Sequence, residues 1–203
     1  MPMQKGRKYA LDAPRSVTPA MYALIDRCLA TVTSIARVNH KWQLYFRVLW
    51  ETGIRPGEGL NLTAQDISQG KLIVHRLKKK GHPADSVPIQ PPLERALREY
   101  IRTEKIRPKG KLFPESIQGV HFIFNRVKQK LLLPDSITPH SFRHGFAMNV
   151  LQQAPPELKA DAVRMLKVLQ RMLAHENINT TAVYLETTRD EIEDILGKMK
   201  FRG

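Results

Sequence analysis

Two neighbouring runs with strand character, Lys71 to Leu77 and Asp85 to Gln90, flank the stretch Lys-Lys-Lys-Gly-His-Pro, which has turn character. The arrangement predicts one antiparallel hairpin. A hairpin alone is marginal in water and must pack on other elements. Almost every other apolar residue recurs at helical spacing. The chain is therefore expected to be mainly α with a small antiparallel β-sheet, an α+β fold.

The helix signals are local and specific. Thr18-Pro19 offers an N-cap followed by proline at the first helical position. Met21, Leu24, Ile25, Cys28 and Leu29 then share a face. A second helix is expected from about His40 to Thr52, with Trp42, Tyr45, Phe46 and Leu49 on one side and Gly53 ending it. A short helix follows Pro56. Pro91-Pro92 opens a helix to about Lys105, Ser116 to Leu131 reads as another, and Pro134 closes it. Thr138-Pro139 caps a helix bearing His140, Arg143, His144 and Ala147. The Pro155-Pro156 break precedes a helix from Glu157 to Ala174, and Thr180 to Leu185 looks like a short helix between loops. Thr188 with Glu191 forms a capping box ahead of the stripe Ile192, Ile195, Leu196 and Met199. With 203 residues, the expected organisation is a basic flexible arm over residues 1–15 and a single domain over 16–203.

Charge narrows the partner. There are 33 lysines and arginines against 19 acidic residues, a formal charge of +14, which points to a polyanion and first to nucleic acid. An anionic membrane surface is the competitor. No basic amphipathic segment stands out for it, and no apolar run approaches the roughly 18 residues needed to span a bilayer. Cys28 is the lone cysteine, so no internal disulfide and no zinc site built from several cysteines can form. The basic N-terminus lacks a following apolar segment and does not read as a secretory signal. A cytoplasmic protein with access to DNA is the expectation, with no membrane partner.

Several residues could carry chemistry on a phosphodiester. Such a reaction without a metal needs donors for the two non-bridging oxygens, and the planar, permanently charged guanidinium suits this role. Arg55 and Arg143 each stand at a helix end or loop rather than inside a basic run; a surface arginine is otherwise simply solvated. His140 and Arg143, three apart, share a helical face. His140 and His144, four apart, have the spacing of a zinc pair, but Ser141 stands where a His-Glu-x-x-His protease has its glutamate. Lys78, Lys79 and Lys80 form a solvated run that can touch phosphate, and a lysine at such a tip can also protonate a leaving oxygen. Tyr184, nine residues after His175, is by residue type an ordinary packed aromatic. As a nucleophile it would have to lose a proton from a phenol whose free pKa is about 10.

Taken together and in order, these residues resemble the tyrosine recombinase (phage integrase) family across about residues 40 to 190. Thr52-Gly-Ile-Arg55-Pro-Gly-Glu58-Gly-Leu60-x-Leu62, followed by Asp66-Ile67, is similar to the family's first box. Lys80-Gly81 stands eight residues before Pro88, as the family's hairpin lysine commonly does, which favours Lys80 over its neighbours. His140-x-x-Arg143-His144-x-Phe-Ala147 resembles the second box, and Leu173-Ala-His175 with Thr180-Thr-x-x-Tyr184 resembles the last histidine and the nucleophile.

The resemblance implies an integrase catalytic-domain fold and a site made of Arg55, Lys80, His140, Arg143, His175 and Tyr184, with Glu58 as a structural acid beside Arg55. It implies strand cleavage and transfer through a 3′-phosphotyrosyl link, with no cofactor and no metal. Double-stranded DNA is the implied partner, with self-association into a tetramer on recombining DNA and accessory DNA-bending or directionality factors. The departures are Ala174 in place of a glycine, a 32-residue gap from Arg143 to His175 with an apparent insertion at Ala154-Pro-Pro, and Asp85 where the hairpin often carries arginine. The length leaves no room for the family's separate N-terminal DNA-clamping domain, a likeness shared with the small fimbrial phase-switch invertases. Alternative expectations are a catalytically silent DNA-binding regulator of the same fold, a type IB topoisomerase-like nicking and closing enzyme, or a basic RNA-binding protein.

Overall fold

The computed structural model describes residues 15–75, 84–159 and 161–173. The chain divides into two compact units, Met1–Asn149 and Val150–Gly203. In the first unit, α1 (Pro19–Leu29) starts where the Thr18 hydroxyl accepts from the Met21 amide at 3.2 Å. The central element is α2 (Ala36–Thr52). Trp42, Tyr45, Phe46 and Leu49 are buried on it as expected, but so are Leu44 and Val48, so its apolar surface is wider than one stripe. Tyr45 packs on Phe113 at 5.2 Å between ring centroids, and Phe46 on Phe124 and Phe142 at 5.5 and 5.1 Å. These rings tie α2 to α5 (Ile117–Leu131) and to α6 (Ser141–Gln153).

α2 begins four residues before the expected His40, because its entry is fixed from inside rather than by a cap. Ile35 at the N-cap makes no side-chain cap bond. The buried amide of Asn39 instead accepts from the Thr33 amide and hydroxyl and donates to the Ala30 and Thr33 carbonyls. One side chain thus satisfies the α1–α2 loop.

α2 ends at Gly53, in the left-handed conformation (φ 64°), and α3 (Pro56–Leu60) follows. A 3₁₀ turn (Ala64–Asp66) leads into a three-stranded antiparallel sheet of β1 (Ile67–Ser68), β2 (Lys71–Val74) and β3 (Asp85–Pro88), in that order. Leu72 faces Val87 and Val74 faces Asp85 across the β2–β3 pair. The hairpin expectation holds, and β1 is an addition. It joins β2 through Gln69 and Gly70, both at positive φ (38° and 78°), a turn whose twist suits a two-residue hairpin. α4 (Pro91–Thr103) and α5 complete this unit together with the first part of α6. α5 fills the span expected from Ser116 to Leu131, with Ser116 as its cap, the hydroxyl accepting from Gly119 N at 3.1 Å.

In the second unit the single helix expected over Glu157 to Ala174 is two, α7 (Pro156–Lys159) and α8 (Ala162–Leu173). Asp161 Oδ1 accepts from the Arg164 amide at 2.9 Å and starts the second afresh. Met165, Leu169 and Leu173 recur every four residues along α8 and are buried. No helix of the described residues is long and apolar enough to cross a membrane. Residues 1–14 of the expected arm, the Lys78–Lys80 tip, His175, Tyr184 and the C-terminal stripe lie outside the described residues.

Candidate active site

Arg55 stands between two conformational constraints, left-handed Gly53 and Pro56 at the first position of α3. It is the N-cap of that helix, and Glu58 reaches back to it twice. Glu58 Oε2 accepts from the Arg55 amide and Oε1 from Arg55 Nη1, each at 2.9 Å. The carboxylate is fully buried while a quarter of the arginine side chain remains exposed (0% and 25%). The acid therefore serves as an anchor beneath a cation that keeps an accessible face. Tyr45 secures the same turn, its hydroxyl donating to the Pro56 carbonyl at 2.9 Å. Burial pushes that phenol well above its ordinary pKa, so it stays a donor.

The second arginine comes from the first turn of α6. The turn before the helix is closed by Thr138 N donating to Ser141 Oγ at 3.0 Å, and by Ser141 N and Arg143 N donating to the Thr138 and His140 carbonyls. His140 is exposed at the mouth of the helix, one residue ahead of Ser141. Arg143 is buried, 6% exposed, and its Nη1 donates to the Gly53 carbonyl at 2.7 Å. Gly53 has a second tie to the same helix. A Cβ there would lie 2.3 Å from Cδ1 of Phe146, so only glycine lets the ring come this close. The turn that sets Arg55 is thus bonded to and packed against the turn that sets Arg143, 90 residues apart for the hydrogen-bonded pair.

His144 shows the field these groups create. Its pKa is lowered, first by partial desolvation of the ring and then by the positive charges of Arg143, His140 and Arg15. Arg15 enters because the segment before α1 is laid along α6: Val17 N donates to the Ser141 carbonyl at 3.1 Å. Gly145 makes the approach possible, since a Cβ there would stand 2.2 Å from the Val17 carbonyl oxygen and 2.7 Å from Trp50 Cζ3. A dication between His140 and His144 would sit among these same cations, which weighs against the zinc-pair reading. The cluster suits an anion instead.

The structure thus ties the turn that sets Arg55 to the turn that sets Arg143, with His140 just ahead of the same helix and Glu58 as the support under Arg55. Lys80, His175 and Tyr184 fall outside the described residues. Sequence reading had no role for Gly145, Val17 or Arg15 in shaping the site. Gly145 lies between His144 and Phe146, where a glycine inside a helical pattern costs stability relative to alanine and so hints at a packing demand.

Comparison with known proteins places this geometry. Residues 23–191 match the phage integrase family. Tyrosine recombinase XerC of Halalkalibacterium halodurans is 33% identical over 167 residues, covering 74% of this chain and 51% of that protein. The chain spans about half the length of the curated relatives it matches. Among solved structures, the XerH site-specific recombinase bound to difH substrate superposes with a TM-score of 0.70 at 19% identity, over 96% of this chain and 57% of that one. The catalytic domain of bacteriophage HP1 integrase gives 0.61 at 19% identity, over 90% and 94%. The chain belongs to the phage integrase family, and its fold is that of a tyrosine recombinase catalytic domain.

Proposed function

We propose that this chain is a site-specific DNA recombinase that cleaves and rejoins strands through Tyr184. The observation that carries the reading is the Arg143 Nη1 to Gly53 carbonyl bond, which ties together the turns that set the two arginines. Arg55 and Arg143 hold the two non-bridging oxygens of the scissile phosphate as charge builds up, assisted by His175. Tyr184 Oη attacks phosphorus and the bond to the 5′-oxygen breaks. His140 takes the phenolic proton and Lys80 gives one to the departing oxygen. The product is a 3′-phosphotyrosyl link and a free 5′-hydroxyl. Because the link conserves the phosphodiester, a hydroxyl from a partner strand can reverse the step and join the DNA with no energy source.

Double-stranded DNA is the proposed substrate, in keeping with the charge of +14 and with a structural neighbour, the Tn1549 transposon integrase, solved in complex with circular intermediate DNA. Strand exchange between two duplexes calls for self-association, proposed as a tetramer on recombining DNA with accessory DNA-bending or directionality factors. The deciding experiment uses suicide duplexes, nicked beside the scissile position and drawn from a randomised library. Wild type should form a covalent adduct that survives denaturation. Tyr184→Phe should bind the same duplexes and form none. Binding without an adduct by wild type would leave a DNA-binding protein of the same fold.

A further inference from the structure

Asp66, at the end of the 3₁₀ turn, repeats the arrangement found under Arg55, and the proposed chemistry leaves it without a role. In both places a buried carboxylate divides its oxygens between the start of a helical turn and a basic side chain. Glu58 Oε2 accepts from the Arg55 amide, and Oε1 from the Arg55 guanidinium. Asp66 Oδ2 accepts from the Thr63 amide at 2.8 Å and from the Thr63 hydroxyl at 2.7 Å. Its Oδ1 stands 3.6 Å from Nε2 of His75. The burial is divided in the same sense, the acid side chain being 6% exposed and the histidine 66%.

Asp66 is a fixed point. Its own amide donates to the Thr63 carbonyl, and the amides of Ala64 and Gln65 donate to the Gly110 and Pro108 carbonyls. The 3₁₀ turn is thereby held eleven residues after Arg55, with α3 between them. His75 stands where the sheet stops holding the chain. The last pair of the β2–β3 ladder is Val74 with Asp85, so His75 is the first residue past it, and Lys80 follows five residues later. At 3.6 Å the contact is too long for a hydrogen bond. It is an attraction between the carboxylate and the protonated ring. A pair with so exposed a member adds little to stability. What it sets is the direction in which the chain leaves β2.

We propose that His75 is a positioning residue, drawn to Asp66 so that the hairpin presents Lys80 to the departing 5′-oxygen. The proposal rests on the strand-cleavage reading and deepens its Lys80 step. In that step the 5′-oxygen leaves phosphorus with the electron pair of the broken bond and takes its proton from the Lys80 ammonium. Misplacing a reacting group by about 1 Å can cost about a hundredfold in rate, so a small bias at the root of the hairpin matters.

The test replaces the bridging 5′-oxygen at the scissile position by sulfur, in a suicide duplex recovered from the randomised library. A thiol is far more acidic than an alcohol, so the sulfur leaves as a thiolate and does not call on a proton donor. On the oxygen duplex, full-length His75→Ala should form adduct about tenfold more slowly than wild type, and Lys80→Ala more slowly still. On the sulfur duplex both should come within about threefold of wild type. The double variant H75A/K80A should be no slower than Lys80→Ala on oxygen, since two changes acting through one group do not add. Asp66→Asn, whose amide oxygen keeps the Thr63 bonds while its NH₂ group faces His75, should show the same split. A wild-type rate for His75→Ala on oxygen overturns the proposal, as does an equal loss on both duplexes. An unimpaired Asp66→Asn overturns it too. If no duplex yields an adduct with wild type, strand cleavage itself falls, and this role with it. An adduct without the split between oxygen and sulfur overturns the role of His75 alone.

Discussion

A buried guanidinium must find partners, and Arg143 finds one in the Gly53 carbonyl. Its neighbour His144 records the consequence. Partial desolvation, and then Arg143, His140 and Arg15, lower the imidazole's pKa below the free value of about 6.5. The sign of the effect on stability follows. Above about pH 6.5 the ring is neutral in both the folded and unfolded chain, and His144 contributes no pH dependence. As pH falls below that value, the unfolded chain takes up a proton that the folded one resists, so stability drops until the lowered folded pKa is passed. Unfolding free energies measured from pH 8 to pH 5 should show this fall in wild type, and His144→Gln should remove that component. An unchanged profile in the variant would mean that neither desolvation nor the cations bear on this ring. Arg55, Glu58 and Arg143 could be read from their motifs. The field at His144 could not, because Arg15 reaches it only through tertiary packing.

At the scale of elements, the seating of α6 is what aligns the constellation, and Gly145 is where it can be disturbed. An added methyl there must displace the backbone carbonyl of Val17, 2.2 Å away, or the Trp50 ring, 2.7 Å away. Neither is the free end of a flexible chain, since Val17 is bonded to Ser141 and Trp50 stacks on Tyr22 with ring centroids 4.9 Å apart. Gly145→Ala should therefore destabilise the protein by about 1–3 kcal/mol in spite of alanine's better helix propensity, a lower Tm being the readout. Its adduct yield should fall more than its duplex binding, because α6 carries Arg143 and starts directly after His140, while binding draws on many cations. Helix starts were legible wherever a side-chain cap made them, as at Thr18 and Ser116. The start of α2 was not, because Asn39 closes its loop from within the helix. β1 escaped notice for a related reason. A two-residue strand has no periodicity to detect, and its Gln69-Gly70 turn lacks the Asn-Gly or Asp-Gly pair that usually announces a tight hairpin.

For the whole molecule, the division into Met1–Asn149 and Val150–Gly203 parts the candidate site residues between two units. The contiguous core runs from Val17 to Phe142, wholly within the first unit. That unit also holds Arg55, the hairpin, His140 and Arg143, whereas His175 and Tyr184 belong to the second. Sequence patterning reported both sets of residues with equal clarity, because motif spacing is indifferent to which unit a residue folds with. A chain ending at Gln153, the last residue of α6, keeps every member of the core. It should unfold cooperatively in urea, with an m value about three quarters that of the full chain, since m follows the surface exposed on unfolding. It should also still bind duplex DNA in a salt-dependent way, because most of the 33 lysines and arginines lie before Gln153. On suicide duplexes it should form no adduct, as Tyr184, the proposed nucleophile, is gone. A non-cooperative melt would show that residues beyond 153 are needed to complete the core. Retained duplex binding alongside lost cleavage would separate the holding of phosphate, assigned to the arginines and lysines of the first unit, from attack upon it.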